Sequence, residues 1–426
     1  MLNSLAYFLQ KSPDCYHAVA TVAALLEDAG FTRLSPGSFS LRGGGTYYLT
    51  LGGTSLLAFR VPEGTATGFT ITASHSDSPC FKLREEPALS GRFTRLSCER
   101  YGGMLPGSWL DRPLGISGRV LVRTPQGIQA RLIDLGSRQV LIPSVAIHLN
   151  REAGSGGKFD FARDFYPLYG LGEDKGRFRA QVAAAAGCRE DEILSSDLFV
   201  YHGQEPFAWG RDGELFSAPR LDDLACCFAC TQGFLMAKES SAIPVLGIFN
   251  HEEIGSETMF GAASSFLPDT LRAISRALGF SKDGHRQLLA NSFSLSCDNG
   301  HGIHPNHPEL ADAIDAPMLG EGVVVKHSPR YATDGMAAAI FTEICRRAKV
   351  PVQRYANRPD QAGGSTLGNI AATKTPILTV DIGMAQLSMH ASLETIGARD
   401  VEHFVRAVAA CYETALTIQG ENVTLG

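Results

Sequence analysis

The chain has 426 residues, of which 44% are hydrophobic and 19% charged, and its 38 Lys and Arg against 44 Asp and Glu give a formal net charge of −6. This composition excludes a disordered chain, and the length allows two or three globular domains. The mild acidity and the scattered basic residues exclude nucleic acid and anionic lipid as expected partners.

Membrane insertion and secretion are not expected either. No stretch approaches the ~18 uninterrupted apolar residues of a membrane span, and residues 1–10 lack the basic segment that opens a signal peptide. The ten cysteines are dilute and lie mostly in apolar runs, so we expect them to be reduced. Cys227 and Cys230 form a CxxC without a second pair, which favours helical core over a zinc site. The sequence therefore predicts a cytoplasmic protein.

In chain order, apolar residues at near-helical spacing predict two helices within residues 2–30. Four short apolar runs rich in strand formers follow far apart, at residues 68–73, 243–249, 292–296 and 376–382. Helical patterns cover residues 221–238 and 401–418. This alternation predicts an α/β fold with a mixed, largely parallel sheet flanked by helices.

The pattern changes between residues 87 and 205, where strand-like pieces at 118–123, 128–135 and 139–142 are separated by Gly, Pro, Ser and Asn. We expect a β-rich domain of residues 87–205, inserted into a discontinuous α/β domain of residues 1–86 and 206–426. The stretch 154–179, rich in Gly, Lys, Arg and Asp, is expected to be a mobile loop.

Each of the four apolar runs is followed by side chains that can ligate a metal. The residues concerned are His75 and Asp77, Glu252 and Glu253, Asp298, and His390. Because the carboxyl ends of parallel strands meet at one edge of a sheet, we expect these side chains to converge. Asp222, at the start of the next predicted helix, is a further candidate, although it could cap that helix and Asp223 could be the ligand instead.

Two His, two Asp and two adjacent Glu are the donor set that two divalent cations about 3.5 to 4 Å apart require, since a carboxylate must bridge them. Mixed nitrogen and oxygen donors favour zinc, with cobalt or manganese as alternatives, over magnesium or calcium. One of the adjacent Glu could ligate while the other takes a proton from water. Asp77 could accept the second N–H of His75 and fix its tautomer.

Five strings in register resemble the M18 family of metallo-aminopeptidases, whose best known members are the aspartyl aminopeptidases. They are HSDSP (75–79), PRLDDL (219–224), HEEIGS (251–256), SCDNGHGIHPNH (296–307) and SMHAS (388–392). The resemblance implies two metal ions per subunit, with Asp222 bridging them. His75 and Asp298 would complete one metal, and Glu253 and His390 the other.

The same resemblance implies further roles. Glu252 would be the general base for attack by a metal-bridging water, and Asp77 the partner of His75. His301 and Lys326 match substrate contacts: Lys326 would favour N-terminal Asp or Glu by charge-assisted hydrogen bonding, and His301 could hold a carbonyl or the tetrahedral oxyanion. His148 matches a residue delivered into the active site of a neighbouring subunit. The insert would be a dimerisation domain, and the assembly a tetrahedral dodecamer built from dimers.

Plainer interpretations stay open for several of these residues. Lys326, after a valine run, could extend to solvent, and His148 could be an ordinary surface residue. His304 and His307 favour a turn over a ligand role, and residues 363–366 could form a turn or bring backbone close to a ligand.

The expected activity is release of N-terminal residues from peptides that carry a free amino terminus. An amidase or deacylase acting on N-acylated amino acids, and a non-catalytic metal-binding assembly protein, are the alternative functions.

Overall fold

The computed structural model describes residues 1–35, 37, 39–151, 158–361, 363–364 and 366–426. The α-helices of these residues are α1 (Leu2–Lys11), α2 (Cys15–Asp28), α3 (Arg177–Ala186), α4 (Leu221–Met236), α5 (Phe266–Ala277), α6 (Lys282–Ala290), α7 (Gly335–Arg347), α8 (Leu367–Lys374) and α9 (Asp400–Glu413). The strands are β1 (Thr32–Arg33), β2 (Thr46–Leu51), β3 (Ser55–Arg60), β4 (Gly68–His75), β5 (Cys80–Leu89), β6 (Phe93–Tyr101), β7 (Leu114–Thr124), β8 (Gly127–Asp134), β9 (Leu168–Leu171), β10 (Ile193–His202), β11 (Phe207–Trp209), β12 (Leu215–Ala218), β13 (Ala242–Phe249), β14 (Phe293–Cys297), β15 (Gly300–His301), β16 (Val323–His327), β17 (Val352–Ala356), β18 (Leu378–Gly383), β19 (Ala385–Leu387), β20 (Glu394–Gly397), β21 (Leu416–Gln419) and β22 (Asn422–Leu425).

The four apolar runs become four neighbouring parallel strands at the centre of a nine-stranded sheet. The strand order is β1-β2-β3-β13-β4-β14-β18-β16-β17, and β13, β4, β14 and β18 pair in parallel. Every residue of β4 and β13 is buried, as expected of strands covered on both faces. Antiparallel pairing with β3 and β16 on either side makes the sheet mixed, which confirms the predicted fold class.

Helices cover both faces of this sheet. One apolar core packs α1, α2, α4, α7 and α9 against one face through side chains such as Leu5, Phe228 and Val405, and a second core packs α5 and α6 against the other face. The two opening helices form as predicted. Asp14 begins α2 by accepting hydrogen bonds from the N–H groups of Tyr16 and His17.

A separate antiparallel sheet follows β4 and has its own core. Its order is β8-β7-β10-β5-β6-β9, and its strands run from Cys80 to His202, compared with the expected insert of residues 87–205. The core of this sheet includes Leu96, Ile116 and Val182, the last from α3. A smaller sheet, β11-β12-β20-β19-β15, joins the segments that precede α4 and follow β18.

Three sequence predictions about local structure need correction. Residues 139–142 form no extended strand but two isolated bridges, at Val140 and Leu141. The expected loop of residues 154–179 contains β9 and the start of α3, and its residues 154–157 lie outside the described part. The helix expected to end at residue 418 stops at Glu413 and is followed by β21. Tertiary pairing decides these cases, because each segment finds a strand partner that its local sequence does not reveal.

The cysteines are reduced, and Cys227 and Cys230 are buried in α4 as predicted. Among the described residues, the helices are too short or too polar to cross a bilayer.

Candidate metal centre

The ends of the parallel strands bring the predicted ligands together. β4 ends at His75, which is paired in register with Phe249 at the end of β13, and Asp298 follows the last residue of β14. Asp222 approaches from the first turn of α4, where its backbone is not helical (φ −84°, ψ 106°) and a cis peptide bond joins it to Asp223. The convergence follows from the parallel arrangement of the strands.

Asp222 faces two imidazoles with different oxygens. Its Oδ1 lies 3.4 Å from Nε2 of His75, and its Oδ2 lies 3.3 Å from Nε2 of His390. Asp298 Oδ1 lies 3.9 Å from the same nitrogen of His75, and Glu253 Oε1 lies 3.4 Å from Nε2 of His390. Ligand atoms of His75, Asp222, Asp223 and Asp298 form one cluster within 4.8 Å, and those of Asp222, Glu253 and His390 form another.

The donor atoms fit divalent cations. Asp222 Oδ1 and Glu253 Oε1 are buried and have no hydrogen-bond partner among the described residues, although their side chains are each only 3% exposed. Unpaired buried carboxylate oxygens are costly unless a cation or a donor compensates them. Imidazole nitrogens and carboxylate oxygens in this arrangement are the ligands that zinc takes.

The buried ionisable groups of the site shift one another's pKa values. Burial opposes protonation of His75, but the carboxylates of Asp223, Asp222, Asp298 and Asp77 raise its pKa well above the ordinary value. For Asp222 burial acts against ionisation, yet the neighbouring imidazoles of His390 and His75 lower its pKa. The pKa of Glu253 is raised by burial and by the charge of Asp222. A bound cation would take over the compensating role of the imidazole protons.

Glu252 lies beside the first cluster, on a short 3-10 turn with Glu253 (Glu252–Ile254). One of its oxygens lies within 4.8 Å of ligand atoms of His75 and Glu253. Burial, together with the charges of Asp298 and Asp77, raises the pKa of Glu252 to about 7.

Asp77 contacts His75 differently from the expectation. The Nδ1 atom of His75 is 3.0 Å from the backbone oxygen of Asp77 and 3.5 Å from its carboxylate Oδ1. The carboxylate accepts hydrogen bonds from the hydroxyl of Tyr101 (2.7 Å) and from the backbone N–H groups of Glu252 and Glu253 (both 3.2 Å). Asp77 thus joins His75 to the loop that carries both glutamates.

The three predicted substrate residues have different surroundings. His301 is exposed on β15 and lines a cavity of about 300 Å³, together with Tyr355, Arg358 and the two glycines Gly363 and Gly364. The sequence left open whether residues 363–366 form a turn, and Ser365 of this stretch lies outside the described residues. His304 and His307 line the same cavity from an exposed turn, where the N–H of Asn306 donates to Nδ1 of His304.

Lys326 is 1% exposed, so the alternative of a solvent-exposed lysine is wrong. Its ammonium donates to Asp298 Oδ2 (3.3 Å) and to the backbone oxygen of Asn299 (3.2 Å), and it lies 5.3 Å from the centre of the Tyr331 ring. Desolvation lowers the pKa of Lys326, but its interactions with Asp298, Tyr331 and Asp381 together outweigh it and raise the pKa overall.

His148 lies on an exposed turn of the residues between β8 and β9 and, in the described structure, makes no hydrogen bond to the candidate ligands. Exposed apolar neighbours surround it in sequence, namely Val145, Ile147 and Leu149.

Sequence reasoning missed two residues of the site. Tyr101, at the end of β6 in the second sheet, donates a hydrogen bond to Asp77. Nothing in the sequence distinguishes it from an ordinary tyrosine of a strand. Glu394 accepts hydrogen bonds from the backbone N–H groups of Asp222 (2.9 Å) and His390 (2.8 Å). The sequence feature that could have identified Glu394 is its position four residues after His390. The alternative that Asp222 caps α4 is wrong, because the regular part of the helix begins only after Asp222 and Asp223 and the carboxylate of Asp222 faces the two imidazoles.

Comparison with known proteins identifies the family. A family model described as aminopeptidase I zinc metalloprotease (M18) matches residues 8–412. The chain is 36% identical over 413 residues to a probable M18 family aminopeptidase 2 of Clostridium acetobutylicum, which covers 93% of this chain and 95% of that protein. A relative with the same description from Pseudomonas savastanoi pv. phaseolicola is 36% identical over 422 residues, covering 96% and 97%.

The fold agrees with a solved structure. The mApe1 dodecamer of S. cerevisiae superposes with a TM-score of 0.84 at 28% identity, covering 96% of this chain and 95% of that one. The predicted enzyme class is confirmed. The chain belongs to the M18 family of zinc metallo-aminopeptidases and is a hydrolase.

Proposed function

We propose that the site holds two divalent cations, zinc by the family description, shared through Asp222, and that the enzyme removes acidic residues from the N-termini of peptides. The observation that carries the two-cation proposal is the division of the Asp222 carboxylate, one oxygen toward His75 and the other toward His390. A carboxylate placed in this way can bridge two cations and reduce their mutual repulsion.

In this proposal His75 and Asp298 complete one cation site, and Glu253 and His390 complete the other. Bound cations supply Lewis-acid polarisation of the peptide carbonyl and activation of water. Asp223 remains close to the first cluster, but its Oδ2 accepts the backbone N–H of His75 (3.1 Å), which favours a supporting role over a ligand role.

Glu252 is the proposed general base. It takes a proton from the attacking water and passes it to the amine of the leaving peptide, so that the C–N bond breaks and a free amino acid is released. Asp77 supports this step by holding the backbone of Glu252 and the ring of His75 at once. A free substrate amine beside the carboxylates of the site explains why cleavage proceeds from the N-terminus.

The acidic preference is proposed from the resemblance and from the cavity beside the cluster. His301, His304, His307 and Arg358 line this cavity, and their N–H groups could bind a side-chain carboxylate. Arg358 is already paired with Asp360. Of the two expected contacts, His301 lines the cavity whereas Lys326 is paired with Asp298, so His301 is the better placed. Lys326 would have to leave Asp298 to bind substrate directly, so its expected main role is to compensate the Asp298 carboxylate.

The deciding experiment compares amino-acyl anilides on chelated protein and on protein refilled with zinc, cobalt or manganese. We expect hydrolysis of Asp and Glu anilides, little hydrolysis of Leu anilide, and none of the N-acetylated Asp anilide. Activity on the blocked substrate alone would favour the amidase alternative, and restoration by one equivalent of metal would refute the dinuclear proposal. His301→Phe should lose the acidic preference, whereas His285→Phe, outside the cavity and bonded to Ser275, should not.

We further propose that residues 87–205 form a dimerisation domain, that His148 reaches the site of a neighbouring subunit, and that dimers assemble into a tetrahedral dodecamer. The exposed apolar side chains Val145, Ile147 and Leu149 beside His148 support an interface there. The solved relative described as a dodecamer supports the assembly size.

Complementation tests the role of His148 in a neighbouring subunit. Glu252→Gln and His148→Ala subunits should each be inactive alone, and mixed assemblies should regain activity, because an intact Glu252 site then receives His148 from the other subunit. No recovery after proven subunit exchange would contradict the proposal. Native mass spectrometry would give the number of subunits.

A further inference from the structure

Glu394 is a buried carboxylate that bonds to two candidate metal ligands through their backbones. It opens β20 and is 1% exposed. Its Oε2 accepts the N–H of Asp222 at 2.9 Å, and its Oε1 accepts the N–H of His390 at 2.8 Å. Each oxygen thereby accepts one backbone hydrogen bond, and Glu394 is absent from the clusters of ligand atoms around the site.

The two backbones that Glu394 joins lack the usual secondary-structure support. Asp222 has non-helical dihedral angles in the first turn of α4, and His390 lies in a loop with φ 65°, in the left-handed region that non-glycine residues adopt only at a cost. These residues are 168 positions apart in the chain. A hydrogen-bonded anchor common to both is therefore a direct means of fixing their separation.

We propose that Glu394 is a positioning residue of the metal centre, which fixes Oδ2 of Asp222 opposite Nε2 of His390 without ligating a cation itself. The proposal rests on the proposed two-cation site. Groups that orient metal ligands from outside the coordination sphere commonly change metal affinity 10- to 100-fold when they are replaced. Glu394 would set the affinity of the Asp222, Glu253 and His390 site in this way.

Asp400 offers a matched control. It is fully buried, and its carboxylate accepts two backbone N–H groups, from Gly320 (2.7 Å) and Gly322 (2.9 Å). These hydrogen bonds hold the loop before β16 and contact none of the proposed ligands. Asp400→Asn therefore reports the general cost of disturbing a buried carboxylate with two backbone donors.

The test titrates metal-free protein with Co²⁺ and follows visible absorption and calorimetric heat. In Glu394→Gln the new amide would point a donor at one of the two N–H groups, and in Glu394→Asp the shorter side chain cannot reach both. We expect each variant to bind one of the two cobalt ions 10- to 100-fold more weakly with an altered absorption band, while Asp400→Asn binds both as the unchanged protein does.

Wild-type affinity in both Glu394 variants would overturn the proposal, and so would an equal loss in Asp400→Asn. If Glu394→Gln does not fold, Glu394→Asp decides, because it keeps the charge. Failure of the two-cation proposal is distinguishable, since the unchanged protein would then bind fewer than two cobalt ions.

Discussion

Replacement of Lys326 by methionine separates an internal structural role from a substrate contact. Lys326 is 1% exposed, and its ammonium pairs with Asp298, whose side chain is 12% exposed. Methionine keeps the approximate volume of the side chain but leaves the Asp298 carboxylate without this cation. Removing one partner of a buried ion pair typically costs roughly 3–5 kcal/mol.

The geometry of the Lys326–Asp298 pair places the expected loss in unfolding free energy at the lower end of that range. The two hydrogen bonds of Lys326 are long, at 3.3 and 3.2 Å, and Asp298 keeps some solvent contact. For a chain of this length the unfolding entropy is about 0.9 kcal/mol per degree, so a loss of about 3 kcal/mol lowers Tm by about 3 °C. In zinc-loaded protein a cation at Asp298 would compensate the carboxylate, and we expect the loss to fall below about 1.5 kcal/mol.

Calorimetry of metal-free and zinc-loaded protein measures both values. Lys82→Met is the control, because Lys82 pairs with Asp197 at 3.1 Å but is 34% exposed, and such partly exposed pairs contribute about 1 kcal/mol or less. In Lys326→Met the KM for Asp anilide should change no more than the KM for Leu anilide. An unchanged Tm with a selective rise in the KM for the acidic substrate would refute this reasoning and make Lys326 a direct substrate contact.

Three further predictions concern the centre itself. Glu252→Gln should lower kcat by roughly 10²- to 10⁴-fold while two metal ions still bind, which metal analysis with steady-state kinetics would show; near-normal kcat would exclude Glu252 as the base. Asp222→Asn should reduce bound metal below two ions per chain by mass spectrometry, and full occupancy would contradict its role as the shared ligand. Tyr101→Phe removes the hydroxyl that bonds to Asp77 and should cost about 1–3 kcal/mol in chemical denaturation; no loss would show that this hydrogen bond contributes nothing net.

The sequence by itself determined the class of fold and predicted which side chains gather at the candidate site. Fully buried strands are continuous apolar runs, and parallel strands place the residues after their carboxyl ends at one edge of the sheet. His75, Glu253, Asp298 and His390 could therefore be grouped from the sequence alone. Metal-ligating side chains also recur after each apolar run, which indicates the same grouping. These are local patterns with a general physical consequence, and the sequence displays them directly.

Only the tertiary structure decided how those residues are held. Lys326 is buried against Asp298, Asp77 bonds to the glutamate loop, and Tyr101 reaches the site from a different sheet. Glu394 bonds to backbone N–H groups, which every residue but proline possesses, so no side-chain pattern could identify its partners. Such contacts depend on loop paths and on packing between distant segments, and those are set by the folded chain as a whole rather than by local sequence.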